Sequence, residues 1–155
     1  MNKANMFEQY ITENIDAAYR FAYTYTKNKE DAEDILNESV IKALRSIHTL
    51  RDPAKIKPWF YRIISNTALT HLKKQQKIVY LSDEEMESLD VVTDDYSQLD
   101  LQSLLDVLDP KYKSILVLRF FEDMTIPEVA DVLGINENTV KTRLYKALNL
   151  LKVEL

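Results

Sequence analysis

Apolar positions in the first third of the chain recur at helical spacing. Phe7, Ile11, Ala18, Ala22 and Tyr25 fall on one face, with Ile15 and Tyr19 beside them, the pattern of a buried helical stripe. Asn28 followed by Asp31 reads as a helix start, since a short polar side chain there can accept from a first-turn amide. A second stripe follows in Ala32, Leu36, Val40, Ala43, Leu44 and Ile47, and Leu50-Arg51-Asp52-Pro53 breaks it. Pro58 suits the first turn of a third helix. Trp59, Ile63, Ala68 and Leu72 continue that helix, and Lys73, Lys74 and Lys77 gather at its carboxyl end, where the helix dipole favours cations.

The period then lapses. Residues 78–96 read as a linker, extended or partly disordered. Val79, Leu81, Leu89 and Val91 keep open the alternative of a short strand or helix docked on a neighbour. Helical spacing returns in Leu101, Leu104, Leu105 and Leu108, and Asp109-Pro110 reads as a cap followed by proline at the first helical position. Ile115, Leu116, Leu118 and Phe121 continue the apolar face.

The most informative stretch comes next. Thr125-Ile126-Pro127-Glu128 is a capping box, in which hydroxyl and carboxylate satisfy each other's end of a helix start. Val129, Ala130 and Leu133 form the apolar face of a short helix, and Gly134 falls where that helix must end in a left-handed residue. Ile135 turns inward again, Asn136 can cap a second helix, and Val140, Leu144, Leu148 and Leu151 form its buried stripe. The small Ala130 lets the two helices cross closely. This is the spacing of a helix-turn-helix that reads DNA. The outward positions are Glu137, Asn138, Lys141, Thr142, Tyr145 and Lys146, whose amide, hydroxyl and cationic groups suit base edges and phosphates.

Composition narrows the function classes. The 155 residues contain no cysteine, one glycine and two histidines, His48 and His71. Disulfides, a thiol nucleophile, a cysteine-zinc site and glycine-rich phosphate loops are excluded. The histidines lack the short helical offset of a metal pair and read as ordinary surface or packing residues. A single glycine predicts a chain that needs positive φ at most once, hence an all-α fold. The expectation is no enzyme, cofactor, metal site or small-molecule substrate. No uncharged stretch approaches a membrane span, so the cytoplasm is the expected location.

The net charge of -5 hides segregation. Residues 51–80 hold seven basic side chains against one acidic, and residues 81–110 hold ten acidic and none basic. A cationic run is commonly a solvated helix face. An acidic chain gains nothing from non-specific attraction to DNA, so any DNA binding is expected to need help.

The residues also carry a family pattern. Leu108-Asp109-Pro110, Ile115 to Arg119, Thr125 to Ile135 and Asn138 to Ala147 together resemble the fourth region of bacterial sigma factors, most closely the extracytoplasmic-function group. Asp31 to Val40 is similar to that group's polymerase-docking helix, and Pro58 to Ala68 to its helix that melts the promoter and reads the minus-ten element. The matches occur in family order across an acidic linker and span nearly the whole chain. Asp123 stands where the family often has glycine, and Lys141 where arginine is frequent.

The resemblance implies two small helical domains, residues 1–77 and 99–155, joined by an acidic linker over 78–98. It implies an alternative sigma factor serving a stress response, with core RNA polymerase, promoter DNA and a membrane-anchored anti-sigma factor as partners. Core polymerase would meet Asp34, Asn37, Glu38 and Arg45. The minus-ten element would meet Lys57, Tyr61, Asn66, Lys73 and Lys74. The minus-thirty-five element would meet Arg119, Asn136, Glu137, Asn138, Lys141, Thr142, Tyr145 and Lys146. Trp59 reads as a core residue rather than a base-stacking ring, and simple packing is the alternative for Tyr61. The rival reading is an autonomous helix-turn-helix regulator with an all-α sensor domain. A helical adaptor without nucleic acid would leave Asn138, Lys141 and Lys146 unexplained.

Overall fold

The structure, a computed structural model, describes residues 2–75 and 108–152. Among them lie six α-helices: α1 Lys3–Thr26, α2 Lys29–Ser46, α3 Ile56–Lys74, α4 Pro110–Leu116, α5 Ile126–Leu133 and α6 Glu137–Lys152. Short 3-10 turns over Ile47–Thr49 and Pro53–Lys55 bring the chain from α2 to α3. The expected linker over 78–98 and the stripe Leu101, Leu104 and Leu105 lie outside the described residues.

The caps form where the side chains allow them. The Asn28 Oδ1 accepts from the Asp31 amide at 3.1 Å, and Asp109 Oδ1 accepts from the Lys111 amide at 2.9 Å. Thr125 and Glu128 close the capping box: the Glu128 carboxylate accepts from the Thr125 amide at 3.0 Å, and the Thr125 hydroxyl accepts from the Glu128 amide at 3.3 Å. That amide bond chiefly holds the Glu128 carboxyl below its ordinary pKa, with the Thr125 hydroxyl adding to the effect. Asn136 caps α6 by accepting from the Thr139 amide at 2.7 Å. Gly134 ends α5 at φ +67°, and beyond its own chain neighbours and helix backbone no atom lies within 4 Å of where a Cβ would stand.

Positive φ is not confined to that glycine. Lys27 ends α1 at φ 54° and Asp123 takes φ 55° in the turn before α5. At Lys27 the left-handed cap is closed locally, its amide donating to the Tyr23 carbonyl at 2.9 Å, and at both positions the conformation carries a cost for a Cβ-bearing residue.

Helices α1, α2 and α3 form a three-helix bundle with an aromatic centre. Phe7 meets Phe60 at 5.1 Å between ring centroids, and Phe21 stacks on Tyr61 at 4.9 Å. Trp59 is only half-buried. It presents an edge to Phe7 at 6.1 Å, and its indole donates to the Thr49 hydroxyl at 3.2 Å. In α3 the fully buried positions are Phe60, Tyr61, Ile64 and Ala68, so the inward face is turned from the expected Trp59–Ile63 line. The reason is that α3 is covered on two sides, by the bundle and by α5.

Several residues expected in buried stripes are exposed: Ile15, Leu44, Phe121 and Leu148. In α2 the buried face runs through Ile35, Ser39 and Ala43. Ser39 is tolerated there because its hydroxyl donates to the Ile35 carbonyl at 2.7 Å. That choice puts Leu44 on the outer side. Beyond α4, a π turn spans Val117–Phe121, with the Glu122 amide bonding five residues back to Val117 O at 2.9 Å. The wider turn keeps Leu118 inside and swings Phe120 and Phe121 out.

The C-terminal helices pack directly on the bundle. α5 lies along α3, α4 touches α1, and α6 closes over α4 and α5. Tyr25 of α1 marks the junction: its hydroxyl bonds the Ser65 hydroxyl of α3 at 2.8 Å and also that of Ser114 in α4. Burial pushes the Tyr25 phenol up to about 12.

Candidate nucleic-acid interface

Helix α6 presents one bare face. Asn136, Glu137, Asn138, Lys141, Thr142 and Tyr145 are all exposed, and Tyr145 keeps 64 % of its surface. Lys146 is partly covered. The opposite face, Val140, Leu144 and Ala147, is buried against α4 and α5. Gly134 makes this presentation possible, because its left-handed φ reverses the chain between α5 and α6 within three residues. Donors and acceptors therefore line a helix free to enter a groove about 12 Å wide, the width of the DNA major groove. Arg119 stands apart from this face. It is half-buried, donates to the Met124 carbonyl at 3.2 Å and lies over the Phe120 ring.

Helix α3 is divided. Arg62, Asn66, Thr70, Lys73 and Lys74 form an exposed stripe at three- and four-residue steps. Two residues expected on the DNA side, Lys57 and Tyr61, are instead held by the C-terminal domain. Tyr61 is fully buried, and its hydroxyl donates to Glu122 Oε1 at 2.7 Å. Burial and the Glu122 charge raise the Tyr61 phenol far above its ordinary pKa. The Lys57 Nζ donates to the Glu122 carbonyl at 2.8 Å and lies 3.8 Å from its carboxylate. Arg62, absent from the sequence-derived candidates, pairs with Asp131 of α5 at 3.2 Å. Its four-residue offset from Asn66 was the available signal. A cleft of 530 Å³ opens beside this contact, bounded by Trp59 and Arg62 on one wall and by Glu128 and Asp131 on the other.

Helix α2 offers a third surface. Asp34, Asn37, Glu38 and Arg45 are exposed on its outward side, with Glu38 paired to Lys42 at 3.5 Å. Ile41 and Leu44 stand exposed among them, an apolar centre that the stripe pattern had assigned inward or left unremarked. His71 Nε2 lies 3.4 Å from Asp31 Oδ1 and bonds the Gln75 amide, an ordinary helix-packing role. Among the described residues no group of His, Cys, Asp and Glu could hold a metal, and no helix is long and apolar enough to cross a membrane.

Known proteins share this arrangement. Residues 10–78 match the family model of Sigma-70 region 2, and residues 98–151 match that of Sigma-70, region 4. The RNA polymerase sigma factor SigV of Bacillus subtilis is 48% identical over 146 residues, covering 94% of this chain and 88% of that protein. The ECF RNA polymerase sigma factor SigM of Bacillus subtilis is 30% identical, covering 86% and 85%. The chain is an extracytoplasmic-function sigma factor. Its fold is that of the sigma factor RpoE solved with the anti-sigma factor NepR from Bartonella quintana, at TM-score 0.73 and 19% identity over 96% of this chain and 95% of that one. CnrH, solved with the cytosolic domain of CnrY, matches at TM-score 0.66 and 20% identity over 95% of this chain and 85% of that one. The sigma factor is thus a transcription-initiation factor and not an enzyme, and the autonomous regulator falls away as an identity.

Proposed function

We propose a division of labour along the three surfaces of this sigma factor. The outward side of α2, with Asp34, Asn37, Glu38 and Arg45 around the apolar Ile41 and Leu44, docks on core RNA polymerase. The exposed stripe of α3 serves the minus-ten element, with Asn66 as base reader and Lys73 and Lys74 on the backbone of the opened strand. Lys57 and Tyr61 join that surface once the C-terminal domain moves away. Helix α6 reads the minus-thirty-five element through Asn136, Glu137, Asn138, Lys141, Thr142, Tyr145 and Lys146, with Arg119 on a phosphate. The domain limits 1–77 and 99–155 follow this division, with 78–98 as the acidic connection.

The carrying observation is the bare polar face of α6, set up by the Gly134 turn and backed by a buried apolar face. The sigma factor acts in the cytoplasm and is held inactive by a membrane-anchored anti-sigma factor until a stress signal. That partner is supported by the sigma factor RpoE of similar fold, which is solved with the anti-sigma factor NepR.

Transcription from a promoter library with added core polymerase tests the reading. The expected result is initiation from a defined promoter class only when chain and core are both present. Tight sequence-specific duplex binding by the purified chain alone, at physiological salt and without stimulation of core, would overturn it.

A further inference from the structure

We propose that Lys42 of α2 is a positioning residue for promoter reading: bonded to Thr67, it sets the turn of α3 that presents Asn66 to the minus-ten element. The inference rests on the assignment of Asn66 to that element and adds the group that aims it.

Asn66 stands between two buried hydroxyls. Ser65 and Thr67 are each 1% exposed, while Asn66 itself is open to solvent. The Ser65 hydroxyl bonds the Tyr25 hydroxyl of α1 at 2.8 Å, and the Thr67 hydroxyl accepts from the Lys42 Nζ of α2 at 3.3 Å. The turn that carries Asn66 is thus gripped by both other helices of the bundle. Apolar burial is non-directional, and a hydrogen bond fixes a direction, so these bonds set the rotation of α3 at the point where the Asn66 amide emerges. A contact group needs support of this kind to be held within about 0.5 Å of its working position.

Thr67 does not make the usual bond of a helical hydroxyl. Thr12, Thr24, Ser39, Ser46 and Thr142 each donate to the carbonyl four residues back, at 2.7 to 3.0 Å. Among the described residues the Thr67 hydroxyl is bonded to Lys42 alone. Lys42 is in turn steadied by the Glu38 carboxylate, one turn before it, at 3.5 Å. The Lys42 side chain is 44% exposed, so a methionine there keeps the stem packed and strands no charge. It does leave the Thr67 hydroxyl without a partner, which is the costly outcome for a buried polar group. Lys42 shares α2 with the proposed polymerase contacts Glu38 and Arg45, so direct docking on core is the rival role.

Holoenzymes carrying Asn66→Ala, Lys42→Met, Thr67→Val and Lys42→Met/Thr67→Val separate the two. Each is compared with the parent on promoters that differ by one minus-ten base, with open complexes read by permanganate footprinting and core affinity by titration. Asn66→Ala identifies the position that Asn66 reads, as the one where discrimination is lost. The expected result is that Lys42→Met lowers discrimination about fivefold at that same position, as for the loss of one hydrogen bond, with core affinity unchanged. Thr67→Val should do the same, and the double variant should lose no more than either single one, because both remove the same bond. Lys42→Arg keeps a cationic donor and should discriminate as the parent does. Loss spread evenly over all promoters, additive losses in the double variant, or loss of core affinity with discrimination intact each overturns the positioning role. If Thr67→Val loses helical circular dichroism, Thr67→Ser replaces it: this variant keeps the acceptor and must discriminate as the parent does, or the role is overturned. Full discrimination by Asn66→Ala at every position overturns the assignment of Asn66 and the positioning role with it. Lost discrimination in Asn66→Ala beside an unaffected Lys42→Met overturns the positioning role alone.

Discussion

Helices α3 and α6 are both proposed to meet DNA, and the structure treats them differently. α6 buries one side and leaves the other bare, so its polar residues are also its accessible ones. α3 is packed on two sides, and its amino-terminal half gives Lys57 and Tyr61 to Glu122. The lesson is that residue type alone does not make a contact surface. A tyrosine or lysine beside a buried carboxylate is already partnered, whatever its chemistry offers to a phosphate.

Substitution of tyrosine on each helix should break that comparison most sharply. Tyr61→Ala is expected to cost about 3–5 kcal/mol of folding stability, as for other large buried rings, because Tyr61 is fully buried and stacked on Phe21. Tyr145→Ala, on the bare face of α6, should stay within about 0.5 kcal/mol. Urea denaturation of both variants measures the difference; equal losses would mean that α3 is not the covered helix.

Promoter binding should rank next. Lys141→Ala is expected to weaken holoenzyme binding to a promoter with a minus-thirty-five element by about 1–3 kcal/mol if it reads a base. If it meets a phosphate, the log-log salt slope should flatten by about 0.9. Asn66→Ala should impair open-complex formation by permanganate footprinting while core affinity is unchanged. Loss of core affinity with normal melting would move Asn66 to the docking surface.

The turns sharpen the comparison further. Gly134→Ala is expected to destabilise the C-terminal domain by about 1–2 kcal/mol. The space around it is empty, so the cost is that of the left-handed backbone alone. Asp123→Gly, at φ 55°, should be neutral or stabilising by up to about 1 kcal/mol, since glycine relieves the same strain but loses more chain entropy. Thermal melts of the two variants should shift unequally, with the loss at Gly134 the larger.

The smallest effect concerns acid. Glu128 has a lowered pKa in the fold, so its contribution is present above the ordinary glutamate pKa and is lost as pH falls through its folded value. The parent should therefore lead Glu128→Gln near neutrality, the lead should begin to shrink as pH falls below about 4.3, and the two should converge only below the lower folded pKa. A constant difference across the acid range would show that the carboxylate charge contributes nothing to the cap.

Legibility in the sequence followed the range of the interaction. Caps at Asn28, Asp109, Thr125 and Asn136 join residues no more than three apart, and all were readable before any packing was known. The bare face of α6 was readable too, because an amphipathic helix with one cover has one dry side. The inward face of α3 was not readable. Apolar and aromatic residues occur almost all round it, and burial between two neighbours selects Phe60, Tyr61 and Ile64 over Trp59 and Ile63. The outward swing of Phe121 was equally hidden, since a π turn inserts an extra residue without any change in composition.

By itself, the sequence determined the helical class, the helix starts, the reversal at Gly134 and the polar face of α6, because these rest on local hydrogen bonds and on periodicity within one element. Only the tertiary structure decided that α3 has two covers, that Glu122 is buried beside Lys57 and Tyr61, and that Arg62 faces Asp131. Those contacts join residues more than sixty positions apart, and no local pattern encodes which acid of one domain will meet which cation of the other.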